Sequence, residues 1–259
     1  MELAPSGGTL REVAGDAVKI VLVSVVRDFA MYEKCVKANP FTAGCELCAI
    51  DNRERNEGIP RGYNAFLNAR SVDEEAWYVF CHEDFELKEP LNLASADPES
   101  LWGPIGAATK VVCGVYHQWR LLGEVEECRK DGSCLRTVGS AVPLGTPVET
   151  FDCQCLIVHS SLVRLHHLCF DEALTFDLYV EEFGMAAHEK AGIVSRILPM
   201  KACHWSGGSV QPRYFEQEAH VNAKYPKACY TGTSSWILGG RPPLGRRLTV
   251  ALKRMMRRR

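Results

Sequence analysis

The chemistry of this chain concentrates at the ends of two apolar runs. Residues 76–81, Ala76-Trp77-Tyr78-Val79-Phe80-Cys81, are apolar and aromatic-rich and end abruptly in His82-Glu83-Asp84. Delivering three ionisable side chains to the end of a buried strand is costly unless something binds there. His82 and Asp84 stand two apart, so on extended backbone they project to one side and can share a cation, whereas Glu83 between them points away. Imidazole plus carboxylate suits Mn2+, and also Mg2+, Co2+ or Zn2+, and a few protein ligands leave coordination positions open for phosphate oxygens. His204, at the end of a later strand-like run, is the candidate third ligand. A lone His-x-Asp more often caps a strand. Here several strand ends carry polar clusters, which a parallel sheet gathers on one edge.

The elements that must position these groups follow from hydrophobic periodicity. Residues 18–26 form a nearly continuous β-branched run, the pattern of a central strand buried on both faces. Arg27-Asp28 follows as a polar loop, and residues 29–39 carry apolar side chains at helical intervals before Pro40. Residues 46–50 read as the next strand, with Asp51-Asn52-Arg53 at its carboxyl end. The loop 56–62 leads into a helix over 63–70, and 77–81 is the third strand. Strand, helix, strand, helix, strand implies right-handed parallel crossovers and a Rossmann-like half. Residues 103–145, rich in Gly with short Val-rich pieces, predict antiparallel strands, with the hydrophilic stretch 124–132 as a hairpin tip or surface loop. Residues 155–158 predict a strand, 176–192 a helix with acidic residues in its first half, and 193–198 a strand leading to His204.

Composition bounds the function classes. With 259 residues, net charge −2, 46% hydrophobic and 24% charged residues, the chain fits one large α/β domain, and its totals do not point to nucleic acid, disorder or a membrane-spanning protein. No apolar run approaches the ~20 residues of a membrane helix, and the N-terminus lacks a secretory pattern. The expectation is a cytoplasmic protein whose twelve cysteines are reduced thiols. Cys45-x-x-Cys48 and Cys153-x-Cys155 read as ordinary strand packing, because buried Cys behaves as a small hydrophobe. The domain plan is a flexible leader over 1–17, a single domain over 18–240 and a basic amphipathic tail over 241–259. The tail mixes Leu244, Leu248, Val250, Leu252, Met255 and Met256 with many Arg and Lys. Two readings stay open for it: contact with an anionic membrane surface, or a solvated helix whose apolar side packs on the domain.

A wider pattern joins these pieces. Arg27-Asp28, Asp51-Asn52, Asn56-x-Gly58-Ile59-x-x-Gly62-Tyr63-Asn64, His82-x-Asp84, Trp102-Gly103-x-x-Gly106, Phe170-Asp171-Glu172, Tyr179-Val180-Glu181-Glu182 and His204-Trp205-Ser206-Gly207-Gly208 occur in that order. The set resembles the GT-A glycosyltransferases, most closely family-2-like members in which His replaces the first Asp of Asp-x-Asp, and spans roughly residues 18–210. The resemblance implies an α/β fold with a mixed, mainly parallel GT-A sheet flanked by helices. It assigns nucleotide binding to about 18–106 and acceptor binding to about 107–210.

By the same resemblance His82, Asp84 and His204 hold a divalent cation, Mn2+ preferred and Mg2+ also accommodated, on the diphosphate of a UDP- or GDP-sugar. Arg27, Asp51, Asn52, Arg61 and Asn64 contact the donor. Glu182, with Glu181 as alternative, takes the proton of an acceptor hydroxyl, and the outcome is inverting. Trp102, Trp205, Glu149 and Asp152 are candidate sugar or acceptor contacts, although a Trp is more often core and both acids could equally cap the following strand. The acceptor is a glycan or lipid-linked hydroxyl in surface polysaccharide synthesis, with the tail placing the enzyme peripherally at the inner face of a membrane and no nucleic acid involved. Two departures stand out: Glu for the usual Asp base, and His82 for Asp, which lowers the negative charge of the metal site. The rivals are a nucleotidyltransferase on a similar sheet and a non-catalytic nucleotide-sugar-binding module. The first normally carries a Gly-rich loop after its first strand, and Val26-Arg27-Asp28-Phe29-Ala30 has no Gly.

Overall fold

The computed structural model describes residues 19–248 except 55, 71–72, 113–115, 130–132, 207–210, 235–236 and 243. The leader 1–17, the tail beyond 248 and the Gly207-Gly208 pair therefore lie outside the described residues. The strands are β1 (Lys19–Val26), β2 (Glu46–Asp51), β3 (Ala76–Cys81), β4 (Phe85–Leu87), β5 (Leu101–Gly103), β6 (Ile105–Val112), β7 (Tyr116–Cys128), β8 (Cys134–Ser140), β9 (Pro147–Val148), β10 (Thr150–Phe151), β11 (Cys155–His159), β12 (Ser195–Ile197) and β13 (Ala202–His204). The helices are α1 (Phe29–Tyr32), α2 (Ile59–Ala69), α3 (Ser160–His166), α4 (Tyr179–Ala191) and α5 (Pro212–Lys224).

The main sheet has the order β2-β1-β3-β11-β5-β12-β9. β1 pairs in parallel with both β2 and β3, as the crossover pattern predicts. β11 runs against β3 and β5, β12 is parallel to β5, and β9 runs against β12, so five of the seven strands share one direction. The sheet is mixed and mainly parallel, with helices on its faces. Its centre is dry on both sides: along β1, Val21, Val23 and Val25 enter one apolar cluster, while Leu22 and Val26 enter the other. β3 alternates the same way, Tyr78 and Phe80 against Trp77, Val79 and Cys81. Continuous apolar runs are the sequence consequence of a period-two backbone with two buried faces.

A second sheet has the order β10-β6-β7-β13-β4, with β8 beside β7. β6, β7 and β8 form the antiparallel unit expected from residues 103–145. Of the hydrophilic stretch expected to be a hairpin tip or surface loop, residues 124–128 form the end of β7, because polar alternation on a half-exposed strand resembles a loop in composition, and the connection to β8 follows Cys128. Other boundaries move for local reasons. α1 is capped by the Asp28 side chain on the Met31 amide and continues as a π-helical turn, Glu33–Lys37. α2 begins at Ile59 rather than 63, since Pro60 sits in the first turn where its missing N–H has no partner to lose. Gly62 on α2 lies so close to β1 that a Cβ there would meet Val25 Cγ2 at 2.6 Å. α4 starts only at Tyr179, because Leu178 takes a left-handed conformation (φ 61°).

Among the described residues no helix is long and apolar enough to cross a membrane. The described part of the tail inverts the amphipathic expectation. Residues 244–248 are helical, with Leu244 and Leu248 exposed and Arg246 buried. Arg246 reaches Glu149 at 3.2 Å, so here the cation and not the apolar side packs inward.

Candidate active site

A cavity of about 1020 Å3 opens beside the carboxyl end of β1 and just beyond β3, where open α/β sheets bind ligands. His82 and Asp84 enter it from the turn after β3. His204, 120 residues further on, arrives because β13 pairs antiparallel with β4, in register His204 to Phe85, and the Trp205 amide donates to the Asp84 carbonyl at 3.0 Å. His204 Nε2 stands 3.3 Å from Asp84 Oδ1 and 3.4 Å from His82 Nδ1, and His82 Nδ1 is 3.9 Å from Asp84 Oδ1. All three ligand atoms fall within 4.8 Å of one another, and the three residues form a possible metal site.

The tautomer of His82 supports that use. Tyr179 Oη donates its proton to the Cys153 carbonyl (2.7 Å), so it must accept from His82 Nε2 at 2.9 Å. His82 Nδ1 then carries the lone pair and faces Asp84 and His204, the arrangement in which an outer partner fixes a ligating imidazole. Burial keeps the His82 imidazole neutral, moving it down to about 4 against the pull of Asp84. Burial would raise the Asp84 carboxyl, yet the hydrogen bond and charge of His204 together with His82 hold it at about 2. His204 moves up: burial opposes the charged form, but Asp84 outweighs it. An imidazole pair around one ionised carboxylate is a donor set that fits a divalent cation.

The same cavity is lined by Glu181, in the first turn of α4 and buried. Its Oε2 accepts from the Cys153 thiol at 3.0 Å and its Oε1 from the Thr233 hydroxyl at 2.8 Å. Burial, followed by the nearby Asp152 charge, raises it to about 7 despite those two donors. A carboxyl held near neutrality in a cavity is poised to exchange protons.

The cavity wall takes Glu181 and leaves Glu182 behind it. Glu182 is buried, with Oε1 accepting from Tyr225 Oη (2.5 Å) and Lys224 Nζ (2.8 Å) on α5. Arg27, Asn52, Asp152 and Glu83 line the cavity as well. Glu83 does turn from the metal ligands: its carboxylate accepts from the Arg27 amide at 2.5 Å and the Asp28 amide at 3.0 Å.

The remaining sequence candidates do not line it. Asp51 is exposed and paired with Arg53, and Arg61 is exposed between Glu57 and Glu172. Asn64 ties α2 to Phe170 and Glu172. Trp102 is core, its indole N–H donating to the Asp97 carbonyl, and Trp205 is buried, donating to Glu86. Glu149 accepts from the Thr109 and Thr231 amides and from Arg246, so its carboxylate joins chain segments.

Three contributors escape sequence reasoning. Cys153, expected as strand packing, is a hydrogen-bond partner of Glu181, Tyr179 orients His82, and Thr233 reaches Glu181 from over fifty residues downstream. Tyr179 stood in a motif without a role, and nothing local marks Thr233. Phe176 stacks on His82 (28° between planes), and the Arg213 guanidinium lies over the Phe176 ring, 4.8 Å from its centroid.

No protein family and no curated protein matches the chain. Among solved structures it is similar to S. aureus TarS 1–349 in complex with UDP-GlcNAc, at 14% identity over 82% of this chain and 67% of that one, TM-score 0.48. It is also similar to GalNAc-T7 with UDP, GalNAc and Mn2+, at 9% identity over 76% and 47%, TM-score 0.46. The inositol-1-phosphate CTP transferase from T. maritima matches at 10% identity over 78% and 95%, TM-score 0.34. The chain spans 60% of one TarS 1–349 structure and 40% of the longer TarS structure. At these scores the likeness carries no residue roles to this chain.

Proposed function

We propose that this chain is a metal-dependent, inverting GT-A glycosyltransferase that moves a sugar from a UDP- or GDP-sugar to a hydroxyl of a glycan or lipid-linked acceptor in polysaccharide synthesis. One observation carries the reading: a His82–Asp84–His204 donor cluster and a near-neutral carboxyl, Glu181, line the same cavity, whose volume is ample for a nucleotide sugar. His82, Asp84 and His204 would hold the cation, Mn2+ in preference to Mg2+, and when bound it supplies positive charge opposite the leaving diphosphate. Glu181 in its ionised form accepts the proton of the acceptor hydroxyl as the anomeric carbon is attacked. Glu181 takes this role in place of Glu182, which does not line the cavity and whose Oε1 is held by Lys224 and Tyr225. Cys153 and Thr233 fix the direction of the accepting oxygens. Arg27 and Asn52 are positioned for the nucleotide, with Asp51 beside them at the strand end, and Asp152 for the sugar. The single-domain plan with its two halves and a peripheral attachment through the basic tail belongs to the same proposal.

A nucleotidyltransferase on this sheet needs backbone N–H groups after β1 to cradle a triphosphate. The Arg27 and Asp28 amides are already bound by Glu83, which disfavours that rival. Incubation with a panel of nucleotide sugars and Mn2+ tests the proposal. Release of nucleoside diphosphate, lost with EDTA and in His82→Ala, is the expected result. No donor binding, together with indifference to EDTA and to His82→Ala, refutes it.

A further inference from the structure

We propose a second metal site, formed by Glu126, Cys128 and Cys134 at the tip of the β7–β8 hairpin, for a thiophilic divalent ion of the Zn2+ class. It shares no residue with the His82–Asp84–His204 cluster and does not depend on the glycosyltransferase reading. Glu126 and Cys128 stand two apart at the end of β7. Cys134 opens β8 as the register partner of Cys128, beside an irregularity in the pairing at Glu127/Cys128. The carboxylate oxygen and the two sulfurs all lie within 4.8 Å of one another.

Separations within 4.8 Å are compatible with a tetrahedral ion. With Zn–S near 2.3 Å, two ligating sulfurs stand about 3.8 Å apart. Two thiolates and one carboxylate leave the fourth position for water. A third thiol, Cys203, lies beside Cys128 on β13, in register with Glu126 and fully buried, but stands outside the three-residue cluster. Placing a carboxylate among ionisable thiols favours a cation at their centre, and binding it releases one proton from each ligating thiol.

Soft sulfur donors select Zn2+ over Mg2+ or Mn2+, whereas the imidazole–carboxylate cluster accepts the harder ions, so the two sites sort metals by chemistry. The location gives the site a purpose. Arg136, Thr137, Val138 and Gly139 of β8 line the main cavity, and an ion between Cys128 and Cys134 fixes the hairpin that carries them.

The full-length, reduced, metal-free chain titrated with Co2+ tests this. Thiolate ligation gives a near-ultraviolet sulfur-to-cobalt charge-transfer band, which the nitrogen and oxygen donors of the first site do not produce. The band is expected in the wild type, displaced by one equivalent of Zn2+, unchanged in His82→Ala and absent in Cys134→Ser. Cys134 is exposed, so its substitution is compatible with folding, checked by circular dichroism; Cys128→Ser is the buried counterpart and should also lose the band. No thiolate band in the wild type, a band that survives Cys134→Ser, or a Cys128–Cys134 disulfide persisting in reductant in place of metal binding overturns the assignment.

Discussion

Glu181→Gln keeps the shape of the side chain and removes its charge, and its consequences can be worked from the site. Burial and Asp152 raise the carboxyl from the ordinary 4.5 to about 7. The folded protein therefore holds a proton that the unfolded chain has already lost between those two values. Stability must then fall as pH rises above about 4.5, with the loss complete above about 7. At about 1.4 kcal/mol per pH unit, the gap between about 7 and 4.5 amounts to about 3 kcal/mol. Thermal melts of wild type and Glu181→Gln at pH 5 and pH 8.5 measure it: the variant should lack this part of the alkaline loss, a relative gain of roughly 6–12 °C at the higher pH. Catalysis moves the other way. Only the carboxylate can accept the acceptor's proton, so wild-type kcat/KM should climb about tenfold per pH unit up to about 7 and then level off. Glu181→Gln should retain donor binding and lose at least ~10²-fold in turnover. Near-normal turnover in Glu181→Gln with an unchanged pH profile refutes the assignment, as does a Glu182→Gln variant that alone loses the rise in kcat/KM below about pH 7. Glu182→Gln is expected only to weaken the link to Lys224 and lower thermal stability.

Three further outcomes follow from named contacts. Tyr179→Phe keeps the buried ring but removes the acceptor for His82 Nε2, so Mn2+ affinity measured by calorimetry should fall about 10–100-fold while the fold persists. Gly62→Ala drives a Cβ into Val25, a β-branched side chain with little rotamer freedom, and urea unfolding should register a loss of about 1–3 kcal/mol. Truncation after residue 248 should lower binding to anionic liposomes and spare soluble donor hydrolysis, whereas truncation after Gly240 also removes buried Arg246 and should destabilise the fold; equal liposome binding by the full chain and the 248 truncation excludes the membrane role.

Sequence by itself determined the elements whose pattern is local. The runs at β1 and β3 announce two-sided burial because every residue must be apolar, and parallel crossovers follow from the helices between them. His82 and Asp84 were legible as a pair because they close an apolar strand run, but both stand in the turn after β3, so it is the turn and not extended-strand alternation that brings them together. The tertiary structure decided what depends on distant segments. His204 reaches Asp84 only through the β4–β13 pairing, and which of Glu181 and Glu182 lines the cavity rests on about 100° of helix rotation. That rotation is set by Leu178, which starts α4, and by Lys224 and Tyr225 on α5, which claim Glu182. Trp102, Trp205 and Glu149 looked like ligand groups because composition cannot distinguish a ring or carboxylate facing a cavity from one satisfied inside the fold. Asp97 stands only five residues before Trp102, but Glu86 for Trp205 and Arg246 for Glu149 come from distant segments, and only folding brings them within hydrogen-bonding distance.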